Sequence, residues 1–505
     1  MGTHGRRTHG RARQRLAYAF TAAALCLSLM LLAGSIWVLI RFGAIHIEQL
    51  ILNLPIENGE GVGNDSYIGE VVFFCILLPV AVTVLALLGV RLWRTSAHRQ
   101  MRPGRIRRTV VRLAVPAGLL AALALFLSVV GVPQYAIAAL DGRSVSGYYR
   151  TPTLATEPEG TKKNLITIYM ESMENTFSDA DLFGENLLEP LNEATQGWAE
   201  YDGLHQYSGG GWTMAGIVST QCGIPLKSRL LTTGIDPNRF GETVSSYLPE
   251  ATCLGDVLEQ QGYTGVFLGG AASGFAGKST FLADHGYGTV LGLSDWQAAG
   301  EDTDEISEQW GLSDNRLFQN ARATVDALEA SENPYNLTLL MLDTHEPGQL
   351  YPSCAAVGET TLADSITCSM QAVADFLTYL SDAGYLDDTV VVVMGDHLKG
   401  TGAGNQYQEE LSSVDDRTVV FRVWNAGEDV EFTRDSSDQL SVMPTVLDLL
   451  GLPLTDGQGG LGVSFVGESV VEGTLLELPQ SEYESLLAVP SNDLYERLWG
   501  DASDE

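Results

Sequence analysis

Three uncharged, strongly apolar stretches lie within the first 140 residues, at 16–40, 71–90 and 113–140. A helix crosses a bilayer with about 20 apolar residues, so each stretch predicts a transmembrane helix, at about 16–40, 71–90 and 113–135. The first has too long an apolar core for a cleaved leader, so it is expected to persist as a span. From residue 161 the pattern changes to short β-branched runs alternating with longer amphipathic ones. Strands are predicted at 164–170, 264–269, 336–342, 389–394 and 418–424. Helices are predicted at about 213–221, 252–261, 315–330, 361–382 and 440–450. Apolar strands separated by helices predict an α/β domain whose parallel or mixed sheet is covered on both faces. Its expected limits are 161–475, with a juxtamembrane connector at 141–160 and a loosely packed acidic tail at 476–505.

Charge divides the chain at the same place. The formal net charge of the 505 residues is −34. Residues 1–113 hold 14 Arg, no Lys and 5 acids, a balance of +9, whereas the remainder holds 15 Lys+Arg against 58 acids, or −43. Arg6, Arg7, Arg11, Arg13 and Arg15 at the amino terminus and the Arg-rich loop 91–112 predict cytoplasmic positions. Loop 42–70 instead carries Glu48, Glu57, Glu60, Asp65 and Glu70. Three crossings then put everything after about residue 140 outside the cytoplasmic membrane. No basic footprint for nucleic acid is present, which excludes a binder led by phosphate neutralisation. The 45% hydrophobic content excludes an acidic disordered chain.

Cys26 and Cys75 fall within predicted spans and read as packing residues. Cys222, Cys253, Cys354 and Cys368 fall in the exported part, where disulfides persist. Four cysteines allow three pairings. The expectation is the two shorter loops, Cys222–Cys253 and Cys354–Cys368.

Ligands of open α/β sheets bind beyond the carboxyl ends of the strands. The first predicted strand ends in Glu171, the third runs into Asp343-Thr344-His345-Glu346-Pro347, and the fourth into Gly395-Asp396-His397. A turn of Gly209-Gly210-Gly211-Trp212 precedes a helix beginning near Thr213. Singly, these residues read as loop polars and helix caps. Together they offer two carboxylates, an imidazole and a hydroxyl to one divalent cation. A threonine hydroxyl bound there loses its proton more readily and attacks phosphorus. Oxygen-rich ligation with one imidazole favours Mn²⁺ or Mg²⁺, with Zn²⁺ as the alternative. His345 is then free to contact phosphoryl oxygens or to protonate a leaving alkoxide. Trp212 either stacks near the substrate or fills the core beside the turn.

Several segments carry a family resemblance. They are NLITIYMESMENTF (164–177), GGGWTMAGIVSTQCGIPL (209–226), GFAGKSTFLADHGYG (274–288), WGLSDNRLF (310–318), LMLDTHEPG (340–348), VVVMGDHL (391–398) and SVMPTVLDLLG (441–451). Over roughly 161–470 the chain resembles the phosphoglycerol transferase and lipoteichoic acid synthase branch of the alkaline phosphatase/sulfatase superfamily. The 209–226 segment is most similar to the membrane-oligosaccharide phosphoglycerol transferases.

After the three transmembrane helices that hydropathy predicts, the resemblance implies an extracytoplasmic α/β/α sulfatase-like domain; span number varies within the family. It makes Glu171, Asp396, His397 and Thr213 metal ligands, with Thr213 also the nucleophile, and His345 a substrate-phosphate residue. Lys278 and Trp310 match substrate-pocket positions more loosely. The implied donor is phosphatidylglycerol, and the implied acceptor is a hydroxyl of an envelope glycan or lipid-linked polymer.

Two departures narrow that picture. Cys222-Gly-Ile-Pro225 has the wrong spacing, and lacks the Arg, for a formylglycine-forming C/S-x-P-x-R motif. The exported part has no Asp-xxx-His pair, so one metal is expected rather than two. The competing readings are a phosphoethanolamine transferase, a phosphodiesterase, and a catalytically silent envelope-binding relative. The acidic charge of the exported part adds one expectation: its acids should lie away from the pocket, with Lys278 facing an anionic donor.

Overall fold

The computed structural model describes residues 4–41, 43, 69–95, 105–156, 160–227, 246–307, 310–331, 333–354, 361–402, 404–467 and 469–500. It divides into two compact units, an N-terminal helical unit and a larger α/β unit. Residues 44–68 and 96–104, most of the two loops that set the expected orientation, lie outside the described residues.

In the helical unit, α1 (His4–Arg41) contains a 24-residue apolar segment, Tyr18–Arg41. A π-helical stretch, Val71–Leu77, runs into α2 (Leu78–Thr95), giving a second apolar helix of 22 residues, Val71–Leu92. Both are long and apolar enough to cross a membrane. The third expected span differs from a single straight helix. α3 (Arg105–Val129) and α4 (Val132–Asp141) are separated by a break, and Ala114–Val129 and Val132–Asp141 meet at 66°. Gly131 adopts φ +72°, and Pro133 has no backbone N–H, so helical hydrogen bonding is interrupted at the bend. The helical unit therefore holds two clear span candidates, or three if the bent pair counts as one.

The α/β unit is built on a seven-stranded sheet. Its strands are β1 (Asn164–Met170), β2 (Ala199–Glu200), β3 (Thr264–Gly269), β4 (Thr289–Leu291), β5 (Tyr335–Leu340), β6 (Thr389–Gly395) and β7 (Phe421–Asn425). Their spatial order is β2-β7-β6-β1-β5-β3-β4. The five strands from β6 to β4 are mutually parallel, and β7 and β2 add antiparallel edges.

Alternation assigns the two faces. Leu165, Tyr169, Phe267, Val390, Val392 and Met394 join one buried cluster, and Ile166, Ile168, Val266, Leu268, Val391 and Val393 join the other. The first face is covered by α5 (Thr213–Cys222), α6 (Leu254–Gln260) and α10 (Val442–Leu449). The second is covered by α8 (Asp314–Glu329) and α9 (Thr361–Ala383). A short helix, α7 (Lys278–Asp284), connects β3 to β4. The described part is thus the α/β architecture the alternating pattern predicts, with each of the five predicted strands found within a few residues and the short edge strands β2 and β4 in addition.

The acidic tail is corrected. Residues 480–498 form α11 (Gln480–Ala488) and α12 (Asn492–Leu498), and Tyr483, Leu486, Leu487, Leu494, Tyr495, Leu498 and Trp499 are buried in the first cluster. Its acids occupy the exposed side of amphipathic turns, so composition concealed an apolar stripe. The connector is likewise held to the domain, with bridges from Arg150 to Gly460 and from Leu154 to Leu454.

Candidate metal and phosphoryl-transfer site

Four neighbouring parallel strands deliver the polar residues in order across the carboxyl edge of the sheet. β6 ends at Asp396 and His397, β1 at Glu171, β5 at Asp343-Thr344-His345, and β3 leads through a turn to Lys278. α5 brings Thr213 to the same edge from one face. Gly216 makes that approach possible: a Cβ there would stand 2.2 Å from the Asp396 carbonyl oxygen. Gly395 has a comparable role, because a Cβ would stand 2.0 Å from the Met173 carbonyl. Both glycines permit backbone contacts that any side chain forbids.

Ligand-type atoms of Glu171, Asp396 and His397 lie within 4.8 Å of one another, and all three residues are buried. His397 Nε2 is 3.5 Å from Glu171 Oε1 and 3.6 Å from Asp396 Oδ2. The Thr213 hydroxyl donates to Glu171 Oε2 at 3.2 Å. Asp396 Oδ1 accepts the backbone N–H groups of Ser172 and His397, both at 2.8 Å, while Oδ2 is buried with no hydrogen-bond donor among the described residues. An orphaned carboxylate oxygen beside a second carboxylate, an imidazole and a hydroxyl suits a divalent cation; buried charge is otherwise costly. His397 Nδ1 is 2.9 Å from the Leu398 carbonyl, which leaves Nε2 as the atom facing the cluster.

Electrostatics agree with a cation site. Burial raises the Asp396 carboxyl to about 7, reinforced by Glu171. Burial also acts to raise Glu171, but His397 and His345 outweigh it and hold that carboxyl below its ordinary value. For His397, burial opposes the charged form, yet Asp396 and Glu171 prevail and raise it. Burial lowers His345 despite the pull of Glu171. Lys278, 4% exposed, is lowered to about 8 by burial against the attraction of Glu171 and Asp396. It sits with Nζ 6.0 Å from the Phe267 ring centroid.

The other expected residues fall as follows. The Trp310 and His345 rings lie against one another at a tilt of 35°, with centroids 3.9 Å apart, and Trp310 Nε1 is buried with no acceptor among the described residues. His345 Nδ1 is 3.2 Å from the Glu346 carbonyl. Trp212 is partly buried against the first core cluster, so it fills space beside the turn while preceding Thr213. Cys222 pairs with Cys253 and Cys354 with Cys368. A second metal-type grouping, Cys253-Asp256-His285, is occupied otherwise: Cys253 is in a disulfide, and Asp256 accepts from Cys253 N and His285.

Several contributors carried no sequence signal of their own. Ser172 holds φ +58° so that its N–H reaches Asp396 while its hydroxyl donates to Glu171 Oε1 at 2.7 Å. A strained φ on a non-glycine residue is typical of a functional turn. Thr344 Oγ1 donates to the Glu171 carbonyl at 2.6 Å, and Gln439 Nε2 to the Asp396 carbonyl at 2.7 Å. Gln206 accepts the Leu398 N–H at 2.8 Å. Apart from the bond between the neighbours Ser172 and Glu171, each contact joins segments remote in sequence, which is why spacing did not reveal them.

The fold and the grouping of Glu171, Asp396, His397 and Thr213 are those that the resemblance to the alkaline phosphatase/sulfatase superfamily leads one to expect. Residues 163–452, more than half of the chain, match the sulfatase family model, and the chain belongs to that family. A phosphoglycerol transferase I of Xanthomonas campestris is 31% identical over 386 residues, covering 74% of this chain and 52% of the relative. One from Salmonella heidelberg is 28% identical over 439 residues, covering 84% of this chain and 53% of the relative. The chain thus spans about half the length of these curated relatives.

Two solved structures share the fold, each with a TM-score of 0.50. An alkaline phosphatase superfamily protein from Vibrio parahaemolyticus is 19% identical, covering 73% of this chain and 96% of its own. The lipoteichoic acid synthase LtaP from Listeria monocytogenes is 16% identical, covering 68% of this chain and 96% of its own.

Proposed function

We propose that the chain is a membrane-anchored phosphoglycerol transferase. It moves a glycerophosphate group from phosphatidylglycerol, through Thr213, to a hydroxyl of an envelope glycan or lipid-linked polymer. The observation that carries the reading is the convergence of Thr213 with Glu171, His397 and the unpartnered Asp396 Oδ2. Curated relatives named phosphoglycerol transferase I support the identity of the transferred group.

Glu171, Asp396, His397 and Thr213 would hold one divalent cation, Mn²⁺ or Mg²⁺. Bound there, it supplies Lewis acidity that lowers the pKa of the threonine hydroxyl and offsets phosphoryl charge. Thr213 opens α5, so the first backbone N–H groups of that ten-residue helix face the phosphoryl oxygens. Thr213 Oγ1 forms the new P–O bond, and the bond from phosphorus to the diacylglycerol oxygen breaks. The threonine proton ends on the released diacylglycerol. In the second half, the acceptor oxygen bonds to phosphorus, the Thr213 ester breaks, and the acceptor proton returns to Thr213. His345 is built to carry that proton in transit. Its Nδ1–H is committed to the Glu346 carbonyl, so Nε2 of the neutral ring is the basic atom. Lys278 and the free Trp310 N–H offer a cation and a donor to the phosphodiester.

The Arg-rich amino-terminal segments and the two disulfides support three crossings with the α/β domain on the extracytoplasmic side. In this reading α3 and α4 together make the third, bent crossing.

The test uses the full-length chain in detergent micelles with fluorescent phosphatidylglycerol. Diacylglycerol release should require added Mn²⁺ or Mg²⁺ and stop with EDTA. Glu171→Ala should lose both stoichiometric metal and release. Release that persists after complete chelation would contradict the reading, and release only from phosphatidylethanolamine would reassign the head group.

A further inference from the structure

Three strand-end loops carry the site: 171–174 after β1, 343–348 after β5, and 396–400 after β6. These loops are joined by two acids and two bases. Glu346 Oε2 lies 2.5 Å from Lys399 Nζ, and Glu346 Oε1 accepts the Gln406 N–H at 3.1 Å. Gln406 Nε2 donates back to the Pro347 carbonyl at 2.7 Å. The Lys399 N–H reaches Glu174 Oε2 at 3.2 Å, and its carbonyl accepts from Arg417 Nη2 at 2.7 Å. Arg417 Nε in turn donates to Glu174 Oε1 at 2.9 Å.

We infer that Glu346 and Lys399 are positioning residues, a cross-loop ion pair that sets the imidazole of His345 relative to the Glu171–Asp396–His397 ligands. The inference rests on the site reading given above. Each site histidine is oriented by the carbonyl of the next residue, His345 by Glu346 and His397 by Leu398. Fixing Glu346 to Lys399 therefore fixes one imidazole-bearing backbone against the other. The Lys399 side chain is 2% exposed and Glu346 21%. A pair this buried adds little net stability over apolar residues of the same size, because desolvation offsets the attraction. Its contribution is a single geometry, and displacement of a reacting group by 1 Å costs about 100-fold in rate.

The test compares the full-length wild type with Glu346→Gln, Lys399→Met and the double variant. Three quantities are read: Mn²⁺ affinity by calorimetry, kcat and KM for diacylglycerol release, and the rate of His345 carbethoxylation by diethylpyrocarbonate, mapped by mass spectrometry. Each single variant should bind Mn²⁺ within about threefold of wild type, yet lose about 10- to 100-fold in kcat with little change in KM. His345 should be carbethoxylated faster in both. The double variant should lose no more than the worse single one, since the two residues act as one device.

Wild-type kcat and His345 reactivity in Glu346→Gln would overturn the inference. So would a loss of Mn²⁺ affinity in step with activity, which would make the pair a support for the metal ligands. Should the wild type itself release no diacylglycerol, the donor assignment fails. The His345 reactivity comparison then still decides the clamp.

Discussion

Trp310 lies over His345 with the two ring planes 35° apart and their centroids 3.9 Å apart, although 35 positions separate them in sequence. Carboxylate-to-backbone hydrogen bonds tie the start of α8, just after Trp310, to the segment that follows β5. Asp314 Oδ1 accepts the Leu342 N–H at 2.8 Å, and Asp343 Oδ2 accepts the Asp314 N–H at 3.0 Å. Burial pushes the Asp314 carboxyl up to about 6, with the Glu171 charge adding to the rise, and burial raises Asp343 well above its ordinary value, with the Asp314 charge adding to it.

Trp310 has two separable contributions, the ring over His345 and the unpartnered Nε1–H. Trp310→Phe keeps the ring and removes the donor, so KM for phosphatidylglycerol should rise about tenfold with kcat little changed. Trp310→Ala removes both and should also lower kcat, by about 100-fold in kcat/KM. Steady-state kinetics of the two variants check this. Equal losses would mean that the indole N–H contributes nothing.

Lys278 makes binding and stability compete. Its ammonium is buried and lowered to about 8, whereas an unfolded chain holds it near the ordinary 10.5. Below pH 8 the folded metal-free protein bears the full cost of the buried charge. Between pH 8 and 10.5 the unfolded state binds more protons, so stability rises with pH. Lys278→Met should therefore stabilise the metal-free protein by about 2–3 kcal/mol at pH 7, fading towards pH 10.5, while slowing turnover. Denaturant unfolding at several pH values measures this. A Met variant that is less stable at pH 7 would show that the ammonium is well solvated.

Cys222 closes the helix that Thr213 opens, and its bond to Cys253 encloses 31 positions. A loop of that size contributes about 3–4 kcal/mol by restricting the unfolded chain. Cys222→Ser/Cys253→Ser should lower the unfolding midpoint accordingly and reduce kcat by loosening α5. An unchanged midpoint would place the stabilisation elsewhere.

How far the sequence reached depended on range. The edges of β1 and β3 were legible because short, mainly apolar runs end abruptly at Glu171 and at Gly269-Gly270. Glu171, Thr213, Asp396 and His397 stood out through position, each at a strand or helix end where an α/β sheet binds ligands. The edge strands β2 and β4 were too short to show alternation. Residues 418–420 read as strand, but Val419 and Val420 bond to Leu204 and Met173 outside the β6–β7 ladder. The bend at Gly131 was hidden inside an uncharged run, since hydropathy does not register backbone direction. Tail acids masked Tyr483, Leu487 and Leu498, which only the packed structure shows as core. Ser172, Glu174, Glu346 and Lys399 had no local signature, because their partners come from other loops.

The most direct test of the central claim is an intact-mass spectrum of the full-length protein in detergent after brief incubation with phosphatidylglycerol and Mn²⁺, beside Thr213→Ala. The account predicts a glycerophosphoryl adduct on the wild type alone, mapping to Thr213 and disappearing when an acceptor is supplied. An adduct on another residue, or diacylglycerol release from Thr213→Ala at the wild-type rate, would contradict it.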